Sequence, residues 1–322
     1  MPNANEKDKK SQRDGFGEAL LELGETNPDV VVLTADLSES TRVQSFEKMY
    51  PQRFVQVGVA EQNMAGIASG LALSGKIPFM ASFGIFSPGN NWLQVRTSIC
   101  YSNANVKIIG THAGLSASSD GATHQALEDI AITRVLPNLT VIVPADYHET
   151  KKAVKAASEH IGPIYIRLSR DSITPITEEK SDFNIGKAQI LQEGDDITVI
   201  FCGPIGAGVM TAVNELKKDN DISCEVINCS TIKPLDEKTI LGSVKKTGKV
   251  VTVEEHQVSG GLGGAVSELL SEKLPVKIVR VGVKDTFGES GKYDELLDKY
   301  GLSSEHIGKA IVTAYKETAH EQ

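Results

Sequence analysis

A chain of 322 residues with 40% hydrophobic and 23% charged residues has the composition of a globular protein, and its length allows two domains of ordinary size. The formal net charge of −9 gives no basic field for a polyanion, so neither nucleic acid nor an anionic membrane surface is expected as a partner. The polar first dozen residues lack an apolar signal-peptide core, and no run reaches the roughly 20 apolar residues of a membrane span, so we expect a cytoplasmic protein.

Cysteine usage agrees with that compartment. Cys100, Cys202, Cys224 and Cys229 form no CxxC pair, and no histidine stands at metal-ligand spacing from them. We therefore expect reduced, mostly buried thiols, as is usual in the cytosol, and no metal site built by this chain.

Strands and helices alternate through the first half of the chain. Apolar runs predict strands at 30–33, 54–57, 77–81, 106–110, 139–143 and 164–168. Helical spacing predicts helices at 13–25, from Glu61 onward, and near 88–101, 124–134 and 146–159. Such alternation is typical of a doubly wound, mostly parallel sheet with helices on both faces.

The second half repeats the alternation after an interruption. Residues 171–188 contain proline and other turn-forming residues and are predicted to be a surface linker, which places domains at 1–175 and 190–322. Further strands are predicted at 197–202, 222–228, 249–253 and 276–281, with helices near 207–218, 236–245, 261–273, 293–299 and 304–317. The expected fold class is α/β, with two doubly wound, mostly parallel-sheet domains in tandem.

One charged residue stands at the head of an otherwise uncharged stretch, residues 58–75. Glu61 is followed by small and apolar residues spaced near 3.6, which predicts a closely packed helix and a poorly hydrated carboxylate. A second interpretation is that Glu61 only complements the positive end of the helix dipole.

Further polar and aromatic side chains follow the predicted strands of the first half. Ligands of parallel sheets collect at the carboxyl ends of the strands, so these side chains are candidates for one site. Taken singly, each has an ordinary explanation as a turn, loop or core residue. The candidates are Asp36, Ser40, Glu61, Phe83, Phe86, Thr111, His112, Asp120, His124 and Arg170.

The loop THAGLSASSDGATHQALED is the most informative of these segments. It holds two histidines and a carboxylate among small residues that allow close approach to a ligand. The alternative is a flexible surface loop in which His124 caps the following helix.

The motifs together resemble a known family. The run beginning GVAEQNMAGIASG, the loop with DGATHQ, and YIRLSRDSITP resemble the pyrimidine-binding domain of transketolase. The segment VVTVEEHQVSGGLGGAVSE is similar to the transketolase C-terminal domain, so the resemblance covers nearly the whole chain. It implies thiamine diphosphate and Mg²⁺ as cofactors, and transfer of a two-carbon ketol group from a ketose phosphate to an aldose phosphate.

The resemblance implies a role for each cofactor-facing residue. Glu61 would hydrogen-bond the N1′ atom of the aminopyrimidine, Phe86 with Phe83 would stack on that ring, and Asp36 would help to hold the cofactor. Gly89 stands near the place of a third family aromatic, which Trp92 or Ile85 could replace.

Other residues match the family's substrate-binding positions. His112 and His124 correspond to histidines that donate to the reacting oxygen or shuttle its proton, and Asp120 corresponds to a carboxylate that binds a sugar hydroxyl. The sugar phosphate would be bound by Arg13, Ser40 and Arg170. Arg13 could equally be a surface residue at the first turn of a helix.

One departure from the family pattern changes the interpretation. Full-length members carry a GDG motif and a later asparagine that bind Mg²⁺ and the diphosphate, and this chain lacks them: GDD at 194–196 and SDG at 119–121 lie in the wrong places. The resemblance therefore implies the C-terminal subunit of a split transketolase. A separate N-terminal subunit would carry GDG, and self-association would give two copies of each chain.

Three alternatives remain open. The β subunit of a 2-oxo-acid dehydrogenase has a similar plan, although DGATHQ argues against it because Asp120 and His124 suit polyhydroxylated substrates. A deoxyxylulose phosphate synthase-like subunit shares the pyrimidine domain, and a scaffold subunit would need none of the site residues. His256 and the glycines at 260–264 fit a helix start better than a nucleotide site, so we assign the second domain no catalysis.

Overall fold

The computed structural model describes residues 9–317. Residues 1–8, which belong to the polar start considered above for a signal peptide, lie outside the described part. The strands are β1 (Lys10–Ser11), β2 (Val30–Thr34), β3 (Phe54–Gln56), β4 (Ile77–Phe83), β5 (Lys107–Thr111), β6 (Thr140–Ile142), β7 (Ile164–Arg167), β8 (Ser172–Ile173), β9 (Gln189–Gln192), β10 (Ile197–Phe201), β11 (Cys224–Asn228), β12 (Thr231–Lys233), β13 (Val250–Gln257) and β14 (Ile278–Val283). The helices are α1 (Gln12–Thr26), α2 (Gln44–Met49), α3 (Glu61–Leu73), α4 (Trp92–Gln94), α5 (Asp129–Arg134), α6 (Tyr147–Glu159), α7 (Gly206–Asn220), α8 (Glu237–Thr247), α9 (Leu262–Lys273), α10 (Tyr293–Lys299) and α11 (Ser304–Glu317).

Two mostly parallel sheets form the frame of the molecule. The first has seven strands in the order β12-β6-β7-β5-β4-β2-β3, and the second has five in the order β14-β13-β10-β11-β9. Only the edge strands β12 and β9 run antiparallel to their neighbours in these sheets. Every residue of β2, β5 and β10 is buried, which explains the continuous apolar runs of the sequence. The predicted α/β fold class is confirmed.

Several helices begin where a side chain caps the free backbone N–H groups. Ser11 Oγ accepts from the N–H of Arg13 at 3.2 Å and starts α1. Asp146 Oδ1 accepts from the N–H of Glu149 at 3.0 Å and starts α6. Such caps satisfy donors that have no partner within the helix, so they fix where the helix starts.

The predicted helix at 124–134 is wrong in its first part. A 3-10 helix covers Gly114–Asp120, and α5 begins only at Asp129. Between them, Ala126 forms an isolated bridge with Ala113, and the Leu127 carbonyl accepts from the N–H of Gln257 in β13. These tertiary hydrogen bonds use backbone groups that a helix would need, so tertiary structure overrides the helical pattern.

The predicted helix at 88–101 is broken into three pieces. A π-helical segment covers Ile85–Asn90, α4 follows, and a second π-helical segment covers Val95–Cys100. Pro88 lies inside the first segment and has no N–H to donate, while Ser87 has non-helical dihedral angles. A regular helix cannot continue through such a residue, and π-helical turns of this kind are often found at functional sites.

The two halves of the chain are joined by one strand and by shared packing. Strand β12 comes from the second half yet pairs with β6 in the first sheet. One hydrophobic cluster contains Met80 and Tyr165 of the first sheet together with Ile200 and Ile227 of the second. We keep 1–175 and 190–322 as the proposed domains, with β12 crossing between them.

The cysteines and the helices add two findings. All four cysteines are free and buried, and burial raises the pKa of Cys100 and of Cys229 to about 12. Within residues 9–317 no helix has the length and apolar character needed to cross a membrane.

Candidate active site

The predicted site residues gather at the carboxyl edge of the first sheet. Strand β3 lies on one side of β2 and β4 lies on the other, so this edge is the switch point of the sheet, where folds of this type have their ligand-binding crevice. Glu61 follows β3, Phe83 ends β4, and His112 follows β5 directly.

Glu61 is the first residue of α3 and is only 5% exposed. Met64, Ala65 and Ala68 are fully buried, so the helix packs closely and draws the carboxylate inward. Ser82 Oγ donates to Glu61 Oε1 over a long 3.4 Å. No other side chain within residues 9–317 donates to this carboxylate, which therefore keeps the capacity to accept from a bound donor.

Four rings form a cluster beside this position. Phe83 stacks on His112 with 3.8 Å between ring centroids, and Phe86 lies nearly parallel to Phe83 at 5.8 Å. His124 meets Phe86 edge-on at 5.4 Å. The arrangement supplies flat apolar faces and imidazole nitrogens within one small volume, which suits a flat heterocycle next to a polar substrate.

His112 is held as a neutral imidazole. Burial, reinforced by the charges of Arg13 and Arg170, lowers its pKa to about 3. Thr111 Oγ1 donates to the Ser82 carbonyl at 3.2 Å and lies 3.0 Å from His112 Nδ1. We assign the single hydroxyl hydrogen to the Ser82 carbonyl, which puts the ring proton on Nδ1 and leaves Nε2 as the acceptor.

Arg13, Arg42 and Arg170 form a positively charged cluster next to His112, called the positive corner below. Arg13 donates through Nη1 to the Ser40 carbonyl and through Nη2 to the Arg170 carbonyl, each at 2.9 Å. Burial, reinforced by the charge of Arg42, lowers the pKa of Arg13 to about 10. Arg42 Nε in turn donates to Asp14 at 2.8 Å. Arg13 is thus a partly buried residue that ties two loops together, and the corner favours an anion.

The DGATHQ loop carries Asp120 and His124 to the rim of the crevice. Arg170 Nη1 donates to the Ala117 carbonyl at 3.2 Å and lies 4.0 Å from Asp120 Oδ1. His124 Nδ1 lies 2.9 Å from the Thr123 hydroxyl. Asp120 is exposed and Arg170 is partly exposed, so both remain accessible to a ligand.

Asp36 stands apart from the ring cluster. It is exposed on the loop after β2 with a φ of +62°, and its N–H donates to Gln56 Oε1 at 2.7 Å. Gln56 also accepts from the N–H of Gly58, so it binds the loops after β2 and β3 to each other. Within residues 9–317 no hydrogen bond or ring contact joins Asp36 to the cluster.

The structure distinguishes the two residues considered for the place of Gly89. A Cβ atom on Gly89 would lie 3.9 Å from Ile85 Cδ1, in ordinary contact. The Trp92 indole instead donates to the Ile132 carbonyl of α5 at 2.7 Å and packs against the core. Ile85 is therefore the side chain beside Gly89.

Sequence reasoning did not single out two residues of this site. Ser82, together with the predicted Thr111, links Glu61 to His112, but inside an apolar strand a small hydroxyl residue gives no separate signal. Arg42 has a φ of +67° and adds to the positive corner, yet in the sequence it is one surface-type arginine among many.

Comparison with protein families identifies the family to which this fold belongs. The family model described as the transketolase pyrimidine-binding domain matches residues 8–175, and that of the transketolase C-terminal domain matches residues 186–307. The chain belongs to the transketolase family.

Transketolase relatives of the same length support the assignment. A protein of Methanocaldococcus jannaschii named as a transketolase C-terminal section is 47% identical over 96% of this chain and 97% of its own length. A 6-deoxy-6-sulfo-D-fructose transketolase subunit of a Clostridium strain is 42% identical over 92% of both chains. A solved structure described as a split gene transketolase, in an inactive β4 tetramer, superposes with a TM-score of 0.88 at 44% identity, covering 96% of this chain and 99% of that one.

Proposed function

We propose that this chain is the C-terminal subunit of a thiamine diphosphate-dependent transketolase, active only with a separate N-terminal subunit. The observation that carries the proposal is the buried Glu61 carboxylate at the start of α3, beside the rings of Phe83 and Phe86. Relatives described as a C-terminal section and as a split enzyme match over nearly their whole length, which supports a half-enzyme.

The residues fit the pyrimidine end of the cofactor. Glu61 has a buried carboxyl group with only one long hydrogen bond from a side chain, so it would share a proton with a ring nitrogen, while Phe86 and Phe83 would pack against the ring face. When bound, thiamine diphosphate supplies the carbon nucleophile that carries the two-carbon unit. Asp36 at the rim would contribute to holding the cofactor, and we assign Mg²⁺ and the diphosphate to the GDG motif of the partner subunit.

The histidines would manage protons on the substrate. His112 is neutral, so its Nε2 would accept a hydrogen bond from a substrate hydroxyl and orient that group. His124 stands edge-on to Phe86 with its ring at the open side of the cluster, and Asp120 nearby would accept from a further sugar hydroxyl.

The positive corner would select the anionic end of the substrate. Arg170 Nη1 already donates to Ala117 and approaches Asp120, while Arg13 uses a donor of each terminal nitrogen on backbone carbonyls. We therefore assign direct phosphate binding mainly to Arg170 with Ser40, and assign to Arg13 both the positive field and the positioning of these two loops.

Experiment is to identify the anionic group of the substrate that binds at the positive corner. Pentose phosphates are the first substrates to test. The Clostridium relative is named for 6-deoxy-6-sulfo-D-fructose, whose sulfonate would occupy a comparable place, so this sugar belongs in the same panel.

Reconstitution tests the proposal. The chain is mixed with a GDG-containing N-terminal subunit, thiamine diphosphate, Mg²⁺ and the substrate panel, and ketol transfer is measured. Glu61→Gln should fold normally and lose nearly all turnover, because an amide cannot share the proton in the same way, while Glu25→Gln on the exposed face of α1 should be unaffected. Retention of most activity by Glu61→Gln contradicts the assignment.

Calorimetry tests the split arrangement. Thiamine diphosphate titrated into this chain alone should give weak binding or none, whereas tight binding should appear once the N-terminal subunit is added. Catalysis by this chain alone would overturn the proposed subunit structure.

A further inference from the structure

The carboxyl end of β13 reaches from the second sheet to the loop that carries the proposed substrate residues. Glu255 Oε1 accepts from the N–H of Ser116 at 2.9 Å, and His256 Nε2 accepts from the N–H of Ala131 at 3.4 Å. The Gln257 N–H donates to the Leu127 carbonyl at 2.8 Å. Three consecutive residues of one domain therefore bind the backbone of residues 116–131 of the other.

Glu255 makes the most direct of these contacts. It is 2% exposed, and its second oxygen, Oε2, accepts from the Tyr293 hydroxyl at 2.5 Å. Gly114 gives the carboxylate its space, since a Cβ there would overlap Glu255 Oε1 and the φ of +78° is itself unsuited to a side chain. The carboxylate thus packs directly against the loop backbone.

Hydrogen bonds of Ser116 connect Glu255 to the residues proposed to bind the substrate. Its Oγ accepts from the N–H of Arg170 at 2.9 Å and donates to the Ala113 carbonyl at 2.8 Å. The guanidinium of Arg170 then bonds to the Ala117 carbonyl and lies 4.0 Å from Asp120. A shift of the Ser116 amide would therefore move both the arginine and the carboxylate that face the crevice.

The surroundings of Glu255 act on its carboxyl group in both directions. Burial raises the pKa of Glu255 to about 7, while Arg167, the Tyr293 hydroxyl and the Ser116 N–H act in the opposite direction and Asp171 adds to the rise. Arg167 Nη2 also donates to the Glu255 carbonyl at 3.0 Å, so side chain and backbone of this residue are both fixed.

We propose that Glu255 is a positioning residue of the C-terminal domain: by holding the Ser116 amide it sets the place of Arg170 and Asp120, and so governs affinity for the anionic sugar. This inference rests on the proposed function for the identity of the substrate. It changes the role of the second domain, because that domain then shapes the binding site instead of serving only as a support.

Two substitutions separate the effect of the length of the Glu255 side chain from the effect of its charge. Glu255→Asp keeps the negative charge beside Arg167 but shortens the side chain by one methylene, so the bond to Ser116 is lost. Glu255→Gln keeps the length and an accepting oxygen but removes the charge. Glu149→Asp is the matched control, because Glu149 is also a buried carboxylate between the domains, bonded to Asn228 and Ser230, and does not touch the loop.

Amide hydrogen exchange of the full-length chain gives a readout that needs no activity. Peptides covering 113–121 should exchange at least about tenfold faster in Glu255→Asp than in the unmodified chain, and should change less than about threefold in Glu255→Gln and Glu149→Asp. If Glu255→Gln loosens the loop and Glu255→Asp does not, charge compensation of Arg167 is what matters and the proposal is wrong. An unchanged loop in Glu255→Asp also overturns it.

Kinetics of the complex with the N-terminal subunit give the second readout. Glu255→Asp should raise KM for the phosphorylated sugar by about tenfold with kcat within about threefold, and should raise KM for an unphosphorylated sugar much less. A loss confined to kcat contradicts the positioning role. If the unmodified complex shows no ketol transfer, the proposed function fails, and the exchange experiment still decides whether Glu255 holds the loop.

Discussion

The hydroxyl of Thr111 is placed to select which nitrogen of His112 carries the proton. With its hydrogen assigned to the Ser82 carbonyl, it accepts from Nδ1. A histidine with a lowered pKa stays neutral at pH 7, so its other ring nitrogen, Nε2, is available as a hydrogen-bond acceptor. This small hydroxyl therefore prepares His112 to bind a substrate hydroxyl.

Nitrogen NMR of the histidine-labelled chain tests that tautomer. His112 should stay neutral with Nδ1 protonated from pH 8 down to pH 5, because its pKa is about 3. Thr111→Val removes the acceptor at Nδ1, so the Nε2-protonated form should gain population. His256 serves as the internal control, since its Nδ1 faces the Gln257 carbonyl at 2.7 Å and should not respond. A charged His112 at pH 6 would contradict the prediction.

Arg170→Ala should affect substrates according to their charge. Removing a charge-assisted contact to a phosphate should raise KM for sugar phosphates by roughly 10- to 100-fold, with little change for neutral sugars. Arg134→Ala, which removes an arginine paired with Glu268 on the surface, is the control. An equal rise for charged and neutral sugars would show that Arg170 acts only through the loop structure.

Some site residues could be predicted from sequence and others could not. Glu61 and the DGATHQ loop stand out because a lone carboxylate heads an uncharged helix and two histidines share a glycine-rich loop. Glu255 follows an apolar strand in the same way, but its partner is the backbone of Ser116, 139 positions away in sequence, and no local pattern reports such a contact.

At the scale of elements, the buried strands were the easiest to predict and the loop-bound segments the hardest. Alternating apolar runs locate β2, β4, β5 and β10 because strands buried on both faces need continuous apolar residues. The start of α5 was missed because the backbone before it bonds to β13. Strand β12 has three residues, too few for any periodicity to be recognised.

Lys107 at the start of β5 makes the stability of that strand depend on pH. It is fully buried, with Nζ bonded to Asn105 Oδ1 and to the carbonyls of His160 and Gly162 within 2.8 Å. Burial lowers its pKa from 10.5 to about 7. The unfolded chain therefore binds a proton more readily than the folded one between these values, and stability falls as pH decreases from 10.5 to 7.

Denaturation of Lys107→Met at several pH values measures this effect. Relative to the unmodified chain, the variant should gain up to about 1.4 kcal/mol for each pH unit lowered between pH 9.5 and 7.5, on top of a constant loss from its unpaired carbonyls. Lys155→Met, on the exposed side of α6, should show no such slope. A difference independent of pH would mean that Lys107 stays charged throughout.

At the scale of the whole molecule, a buried ion pair holds the arginine whose hydrogen bond links the two sheets. Arg167 and Asp129 are 3% and 1% exposed and lie 2.8 Å apart, and Arg167 also donates to carbonyls of Ala126 and Glu255. Tyr165 donates to the same Asp129 at 2.6 Å. Removing one charge of such a pair leaves the other buried without compensation.

Asp129→Ala should therefore destabilise the chain by about 3–5 kcal/mol. The pair between Arg134 and Glu268 offers a comparison, because it also contains a residue of α5 but leaves Glu268 66% exposed. Glu268→Ala should cost no more than about 1 kcal/mol. Urea denaturation followed by circular dichroism measures both changes in the free energy of unfolding. Equal losses of stability in the two variants would contradict the role given to burial.

Strand β12 makes the two halves of this polypeptide hard to part. A gene shortened to end inside 171–188 would encode the larger sheet without the strand that covers β6, leaving its backbone donors and acceptors open. We expect such a fragment to precipitate or to associate with other copies of itself through the uncovered edge of β6. Chimeras with related proteins should therefore exchange the larger domain together with the residues through Lys233. A chimera whose fusion point lies within residues 171–188 should not fold.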